Sequence, residues 1–247
     1  MKPILFNTNM VRAIQKGEKT VTRRIIKPQP TYSSQDGFSY RGRAYGTDLP
    51  PTIEGACNNL RCAASYQAND VLYVRESWLK TKRGEIYKYR ADCYDSEARL
   101  CKWHPSIHMP KEATRIFLRV KDVKVQHVHD MRLADFLAEG VMLTREELQD
   151  QDTALYKARQ QFKEIWNSTV GKPGTKEYQM YNWDANPLVW VIEFRRINGV
   201  CLKNVSCPYY QPYEQCAING CMFGASSEDA EGDRLCMKDV NEKGECL

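Results

Sequence analysis

Residues 74–78 read Val-Arg-Glu-Ser-Trp, which sets a guanidinium (Arg75), a carboxylate (Glu76) and an indole (Trp78) within four positions at the end of a β-branched run. A cationic fork, an acceptor and an aromatic face together can hydrogen-bond and stack a nucleobase. The same residues serve equally as an internal ion pair beside a core aromatic. The run Lys19-Thr20-Val21-Thr22-Arg23-Arg24 packs three cations and two hydroxyls into six positions. Cations at that density suit phosphate oxygens. A threonine hydroxyl becomes a nucleophile once a base removes its proton, and a lysine whose pKa is lowered by burial is such a base. His127 and His129, one residue apart in an extended segment, project to one face as metal ligands do, but no third ligand stands beside them.

The 10 cysteines divide unevenly. Cys57, Cys62, Cys93 and Cys101 are scattered, whereas Cys201, Cys207, Cys216, Cys221, Cys236 and Cys246 crowd the last 47 residues. Without a secretion signal, such a cluster points to a metal or free thiols before disulfides. The spacings lack the C-x2-C pairs of a zinc ribbon. Still, an acidic stretch with few large apolar residues needs a staple to fold, so a structural zinc on Cys207, Cys216, Cys221 and Cys236 is one expectation and a thiol-bearing tail the other. Catalysis as read here requires no cofactor.

Charge is as uneven as the cysteines. The net value of +5 joins a tail (201–247) with 4 basic and 8 acidic side chains to a body whose first 43 residues carry 9 basic and 2 acidic ones. That basic third fits a polyanion or a phosphorylated small molecule, or else a solvated face. The strongest apolar run, Leu188–Ile192, is far short of the roughly 20 residues that span a bilayer, and Met1–Phe6 is too short for a signal-peptide core. These observations predict a cytoplasmic protein with no membrane association.

The elements that must position these groups are legible from spacing. Met10, Ala13 and Ile14 predict a helix at about 9–16 ended by Gly17. Lys19–Ile26 predicts a strand with Lys19, Val21 and Arg23 on one side and Thr20, Thr22 and Arg24 on the other. Residues 31–69 are polar and aperiodic and predict a long loop or insertion. Strands are expected at Val71–Val74 and Ile116–Val125, with a hairpin turning near Arg83-Gly84. Asp130 is expected to cap a helix carrying Leu133, Phe136, Leu137 and Val141, and Thr144-x-x-Glu147 to head a second with Leu155, Ala158, Phe162, Ile165 and Trp166 on one face. Leu188–Phe194 predicts a buried closing strand. The order is α+β with a small curled sheet or barrel.

Three segments in this order resemble the ASCH domain family: Met10…Gly17-Glu18-Lys19-Thr20-Val21-Thr22-Arg23-Arg24, then Asn69–Glu76, then Ala138-Glu139-Gly140-Val141 ahead of Val189–Phe194. Lys27-Pro28-Gln29-Pro30 and Ser106-Ile107-His108-Met109-Pro110 are similar to its phage and prophage branch. The resemblance covers about residues 2–197. It implies a PUA-like small β-barrel flanked by helices over 1–200, with an insertion at about 31–69 and a Cys-rich acidic extension over 201–247, in a bacterial host cytoplasm.

Some compact bacterial family members are amidohydrolases that release acetate from N4-acetylcytidine, and their Lys, Thr and Glu match Lys19, Thr22 and Glu139. The resemblance implies Lys19 as base, Thr22 as nucleophile, Arg24 as a candidate oxyanion donor, and Glu139 orienting the ammonium or passing a proton to the leaving nitrogen. It makes Arg75, Glu76, Trp78, His108 and Lys111 candidate pocket walls. The alternative is a non-catalytic nucleic-acid-binding module of phage origin, RNA ahead of DNA, whose Lys19, Arg23, Arg24 and Arg75 meet phosphates. The long insertion, Arg23 in place of an aliphatic residue, and the extension set this chain apart from the compact members. The partner expected in either case is a modified nucleoside or a nucleic acid, and oligomeric state is not legible.

Overall fold

The computed structural model describes residues 1–46, 53–81 and 86–197. Strands run over Lys2–Leu5 (β1), Val21–Ile25 (β2), Thr31–Ser33 (β3), Gly37–Tyr40 (β4), Arg43–Tyr45 (β5), Val71–Arg75 (β6), Trp78–Lys80 (β7), Tyr87–Tyr89 (β8), Phe117–His127 (β9) and Leu188–Ile197 (β10). Helices occupy Thr8–Lys16 (α1), Ile53–Leu60 (α2), Asp95–Ala98 (α3), Leu133–Ala138 (α4), Gln151–Thr169 (α5) and Lys176–Tyr181 (α6). The architecture is α+β. Among the described residues no helix is long and apolar enough to cross a membrane.

The chain divides into two compact units. The first takes Met1–Thr8, Val71–Arg119 and, among the described residues that follow, Arg196 and Ile197. In it β1 runs parallel to β6, with Lys2 opposite Leu72 and Leu5 opposite Arg75, and β6 pairs antiparallel with the start of β9. Leu72 and Val74 alternate inward as period-two packing requires, while Val71 and Tyr73 pack against Phe117 and Ile197. The hairpin β7–β8 sets Trp78 opposite Tyr89, and Trp78 also bridges to His104.

The second unit takes Asn9–Asp70 and Val120–Arg195. Here β10 lies between β9 and β2 and pairs antiparallel with β2. Helix α5 starts where the Asp150 carboxylate accepts the Thr153 N–H. It buries Ala154, Ala158, Phe162 and Trp166, one every turn. That stripe meets Phe136 of α4, Trp183, and Val189 and Val191 of β10, with Val21 and Ile25 of β2 packed alongside. Each large side chain so buried contributes about 1.5–3 kcal/mol.

Several expectations need correction. Strand by strand the order is β1-β6-β9-β10-β2, an open order rather than the closed barrel expected. Among the described residues the outer edge of β2 meets no strand, and its Val21 carbonyl accepts from the Lys19 ammonium instead. The segment 31–69, expected as a long loop or insertion, carries regular elements among its described residues, the meander β3-β4-β5 and α2. Only β4 of the meander buries side chains, Phe38 and Tyr40, so no period was legible. Asp130 does not cap α4. Its carboxylate accepts the His127 N–H to close a preceding turn, and α4 opens instead on the Arg132 N–H donating to Asp135. Thr144 and Glu147 exchange the two capping-box bonds, yet the helix begins later, at Gln151. Leu148 is exposed, so no apolar face before Ala154 rewards an earlier start. The Arg83-Gly84 turn lies outside the described residues.

Candidate active site

The site is built on β2 and the end of α4. After α1, Gly17 adopts φ +78°, a left-handed position in which only glycine is unstrained. The N–H groups of Glu18 and Lys19 then both donate to the Ala13 carbonyl, which turns Lys19 inward, and it is among the most completely buried side chains of the protein.

Beyond it, Phe194 N–H donates to Thr20 and Ile26 N–H donates to Leu188. With Thr22 opposite Ile192 and Arg24 opposite Trp190, the alternation of an antiparallel ladder puts the even-numbered residues of β2 at the bonded positions. The N–H and C=O groups of Val21, Arg23 and Ile25 therefore face the outer edge, as the Lys19 bond to the Val21 carbonyl requires. Side chains follow the predicted alternation. Val21 and Ile25 join the apolar cluster under α5, and Thr22 and Arg24 take the face of Ile192 and Trp190. Both faces are covered, so Thr22 and Arg23 are buried in succession.

Helix α4 ends in a Schellman motif. Val141 N–H donates to Phe136, Gly140 N–H to Leu137, and Gly140 has φ +89°. A Cβ at position 140 would lie 3.1 Å from the Ala13 Cβ and 3.3 Å from the Lys19 Cβ, so the glycine both ends the helix and lets Lys19 pass. Lys19 Nζ donates to Glu139 Oε2 (2.6 Å), to the Glu139 carbonyl (2.8 Å) and to the Val21 carbonyl (2.8 Å). A cation on the last helix carbonyl is also favoured by the helix dipole. Arg23 Nη1 donates to the other Glu139 oxygen (3.2 Å) and its Nη2 to Asp135 (2.8 Å). With its amide oxygen turned toward Arg23, Gln126 accepts from the same guanidinium at 3.1 and 3.3 Å. Burial lowers the Lys19 pKa, and Glu139 partly opposes that. Burial also lowers that of Arg24.

A cavity of about 270 Å³ lies against this cluster, with Thr22, Arg23, Arg24 and Glu139 on its polar side and Phe162 and Trp166 on its apolar side. A second, of about 250 Å³, shares Arg24, Ile25 and Lys27 with it and adds Tyr40, Tyr66 and Trp190.

Lys19, Thr22, Arg23, Arg24 and Glu139 thus come together. Arg23 holds Glu139 and Asp135 with a side chain sealed from solvent, which makes it a positioning group. The other candidates belong to the first unit. Arg75 Nε donates to the Met109 carbonyl. Glu76 is gripped by both Nε and Nη2 of Arg115 (2.9 and 3.1 Å), a partner without local signal in the sequence, and burial still raises the Glu76 pKa. Trp78 meets the rings of His104 and Tyr87 in tilted contacts, at 5.0 and 5.7 Å between centroids. His108 is exposed and Lys111 half-buried. Asp135 was missed although it stands one turn before Glu139, the spacing that puts two carboxylates on one helix face.

His127 and His129 each bond a backbone carbonyl, of Asn186 and Trp183. Among the described residues no cluster of metal-ligating side chains occurs. Cys207, Cys216, Cys221 and Cys236 lie outside them. No family model, no curated protein and no solved structure matches the chain.

Proposed function

We propose that this is an ASCH-type, PUA-like amidohydrolase that deacylates N4-acetylcytidine or a related N-acylated base. The observation that carries the reading is the buried Lys19–Glu139 pair standing behind a cavity walled by Thr22 and Arg24.

In its neutral form Lys19 takes the Thr22 hydroxyl proton as Oγ1 attacks the acyl carbon, and the carbonyl electron pair moves onto oxygen. The outward N–H of Arg23 and the Arg24 guanidinium meet that oxyanion. Collapse breaks the C–N bond. The leaving exocyclic nitrogen receives the proton held by Lys19, with Glu139 passing it on, and an acyl ester remains on Thr22. Water, deprotonated by Lys19, then cleaves the ester to acetate and restores the hydroxyl. Arg23, itself held by Asp135, fixes the Glu139 carboxylate throughout.

The test is cytidine release from N4-acetylcytidine by the purified protein, followed chromatographically beside Lys19→Ala, Thr22→Ala and Glu139→Ala. Turnover lost in all three supports the reading. No turnover by the parent protein of N4-acetylcytidine or of a related N-acylated nucleoside or nucleotide overturns it.

A further inference from the structure

Each of the two cavities, about 270 and 250 Å³, falls short of the roughly 300 Å³ at which small-ligand pockets begin. They share Arg24, Ile25 and Lys27, so one ligand reaching into both fits better than two separate ones. Their chemistry differs. The first holds Thr22 and Glu139 beside the rings of Phe162 and Trp166. The second gathers Arg24, Lys27 and Arg41 with the hydroxyl-bearing Tyr40, Ser65 and Tyr66, and no acidic residue is among its described lining.

Arg41 is placed there deliberately by the fold. Tyr40 pairs with Arg43, so the β4–β5 hairpin turns on Arg41-Gly42, with φ +50° and +75°. Two positive φ values mark a type I′ turn, whose first position suits Asn, Asp or Gly. A long cation there accepts backbone strain and gains a position. Its Nη2 donates to the Lys27 carbonyl (3.0 Å), and its guanidinium stands 5.1 Å over the Tyr40 ring. Tyr40 in turn meets Trp190 edge to face at 6.2 Å, and Trp190 lies opposite Arg24 in the ladder. Three cations carried on β2, on the segment just after it and on the hairpin tip therefore border one small cavity, Lys27 with its ammonium paired to Glu177 and Arg24 and Arg41 with their guanidinium groups.

We infer that the second lobe is a phosphate subsite, so that the substrate is a nucleoside 5′-monophosphate carrying the acylated base rather than the free nucleoside. The inference rests on the proposed chemistry at Thr22 for which lobe takes the base. A single cavity bordered by cations fits one terminal phosphate. A nucleic-acid strand is instead met by a groove that tracks its backbone with successive stacking faces.

The experiment is calorimetric titration of the full chain with cytidine, cytidine 5′-monophosphate and a short oligocytidylate, none of which is cleaved, at two salt concentrations. The monophosphate is expected to bind at least about tenfold tighter than cytidine, as charge-assisted bonds to a phosphate provide. Arg41→Asn, which removes the charge and suits the left-handed turn, is expected to bring that ratio near one, and Arg41→Lys to keep most of it. Equal affinities, no binding of either, or a ratio untouched by Arg41→Asn overturns the inference. So does an oligocytidylate that binds tighter than the monophosphate with steep salt dependence, which would assign the lobe to a strand. Deacylation is scored separately on N4-acetylcytidine and its 5′-monophosphate. Turnover without phosphate preference defeats the subsite alone, and an Arg41-dependent preference without turnover defeats the hydrolase alone.

Discussion

Lys19 holds Glu139 at both ends, its ammonium 2.6 Å from a carboxylate oxygen and 2.8 Å from the backbone carbonyl of the same residue. One bond fixes the carboxylate and the other fixes the helix terminus that carries it. The two side chains are 0% and 4% exposed, so the pair is shielded from solvent and its members depend on each other.

That dependence is unequal. Glu139→Ala leaves Lys19 and Arg23 buried as like charges and is expected to cost about 3–5 kcal/mol. Lys19→Met leaves Glu139 still paired with Arg23 and is expected to cost less, about 1–2 kcal/mol. Urea denaturation of both variants checks the order, and equal losses would contradict it.

Thr22→Ala is expected to lower deacylation at least about 10³-fold while the protein stays folded. Thr22→Ser keeps a hydroxyl at the same bonded position of β2 and is expected to retain measurable turnover. Rates for the two variants, with circular dichroism as the folding control, decide it.

Burial lowers the Lys19 pKa below its ordinary 10.5, and the sign has two consequences. Deacylation is expected to rise with pH along a limb whose midpoint lies below 10.5, as the neutral base is populated. Between the lowered value and 10.5 the unfolded chain binds more protons than the folded one, so this group's contribution makes stability increase with pH across that window. A rate that does not rise with pH anywhere below 10.5 would remove Lys19 as the base.

Gly140→Ala is expected to destabilise the protein by about 1–3 kcal/mol and to depress deacylation, because its methyl would crowd Ala13 and Lys19 at a positive φ. Gly17→Ala has the same kind of backbone but open space around it, so about 1 kcal/mol of backbone cost is expected and no crowding of Lys19. Thermal melts of the two variants separate strain from contact.

In the first unit, Arg115→Met leaves the Glu76 carboxylate buried without its guanidinium. About 2 kcal/mol or more is expected to be lost at pH 7. The Glu76 pKa already stands above its ordinary 4.5 because of burial, and the variant raises it further. The folded state then binds the extra proton, so stability falls as pH rises through that window and the deficit shrinks toward acid. A deficit constant from pH 5 to 8 would show that the cost is packing.

Much of this site could be read in the sequence. The alternation of Val21–Ile25 and the one-per-turn apolar residues of α5 are local patterns with a fixed period. What escaped was either too short to repeat or too distant to pair. Strands of three or four residues, with β3 fully exposed, carry no alternation. The pairing of Arg115 with Glu76 joins positions 39 apart and leaves no local trace. Asp135 was within reach of helix spacing, but the cap was sought at Asp130; Asp135 serves two purposes, accepting from Arg132 and from Arg23.

The placing of β2 outermost, beside β10, has a consequence for how the protein comes into being. Thr22 emerges from the ribosome early, yet its partner across the ladder is Ile192, and Glu139, which shares its cavity, lies between. Synthesis must reach Phe194 before the ladder is complete, so Thr22, the proposed nucleophile, is without its strand partner while the 170 residues up to Ile192 are made. A chain interrupted before β10 would retain every residue assigned to the chemistry and lack the strand that orders them.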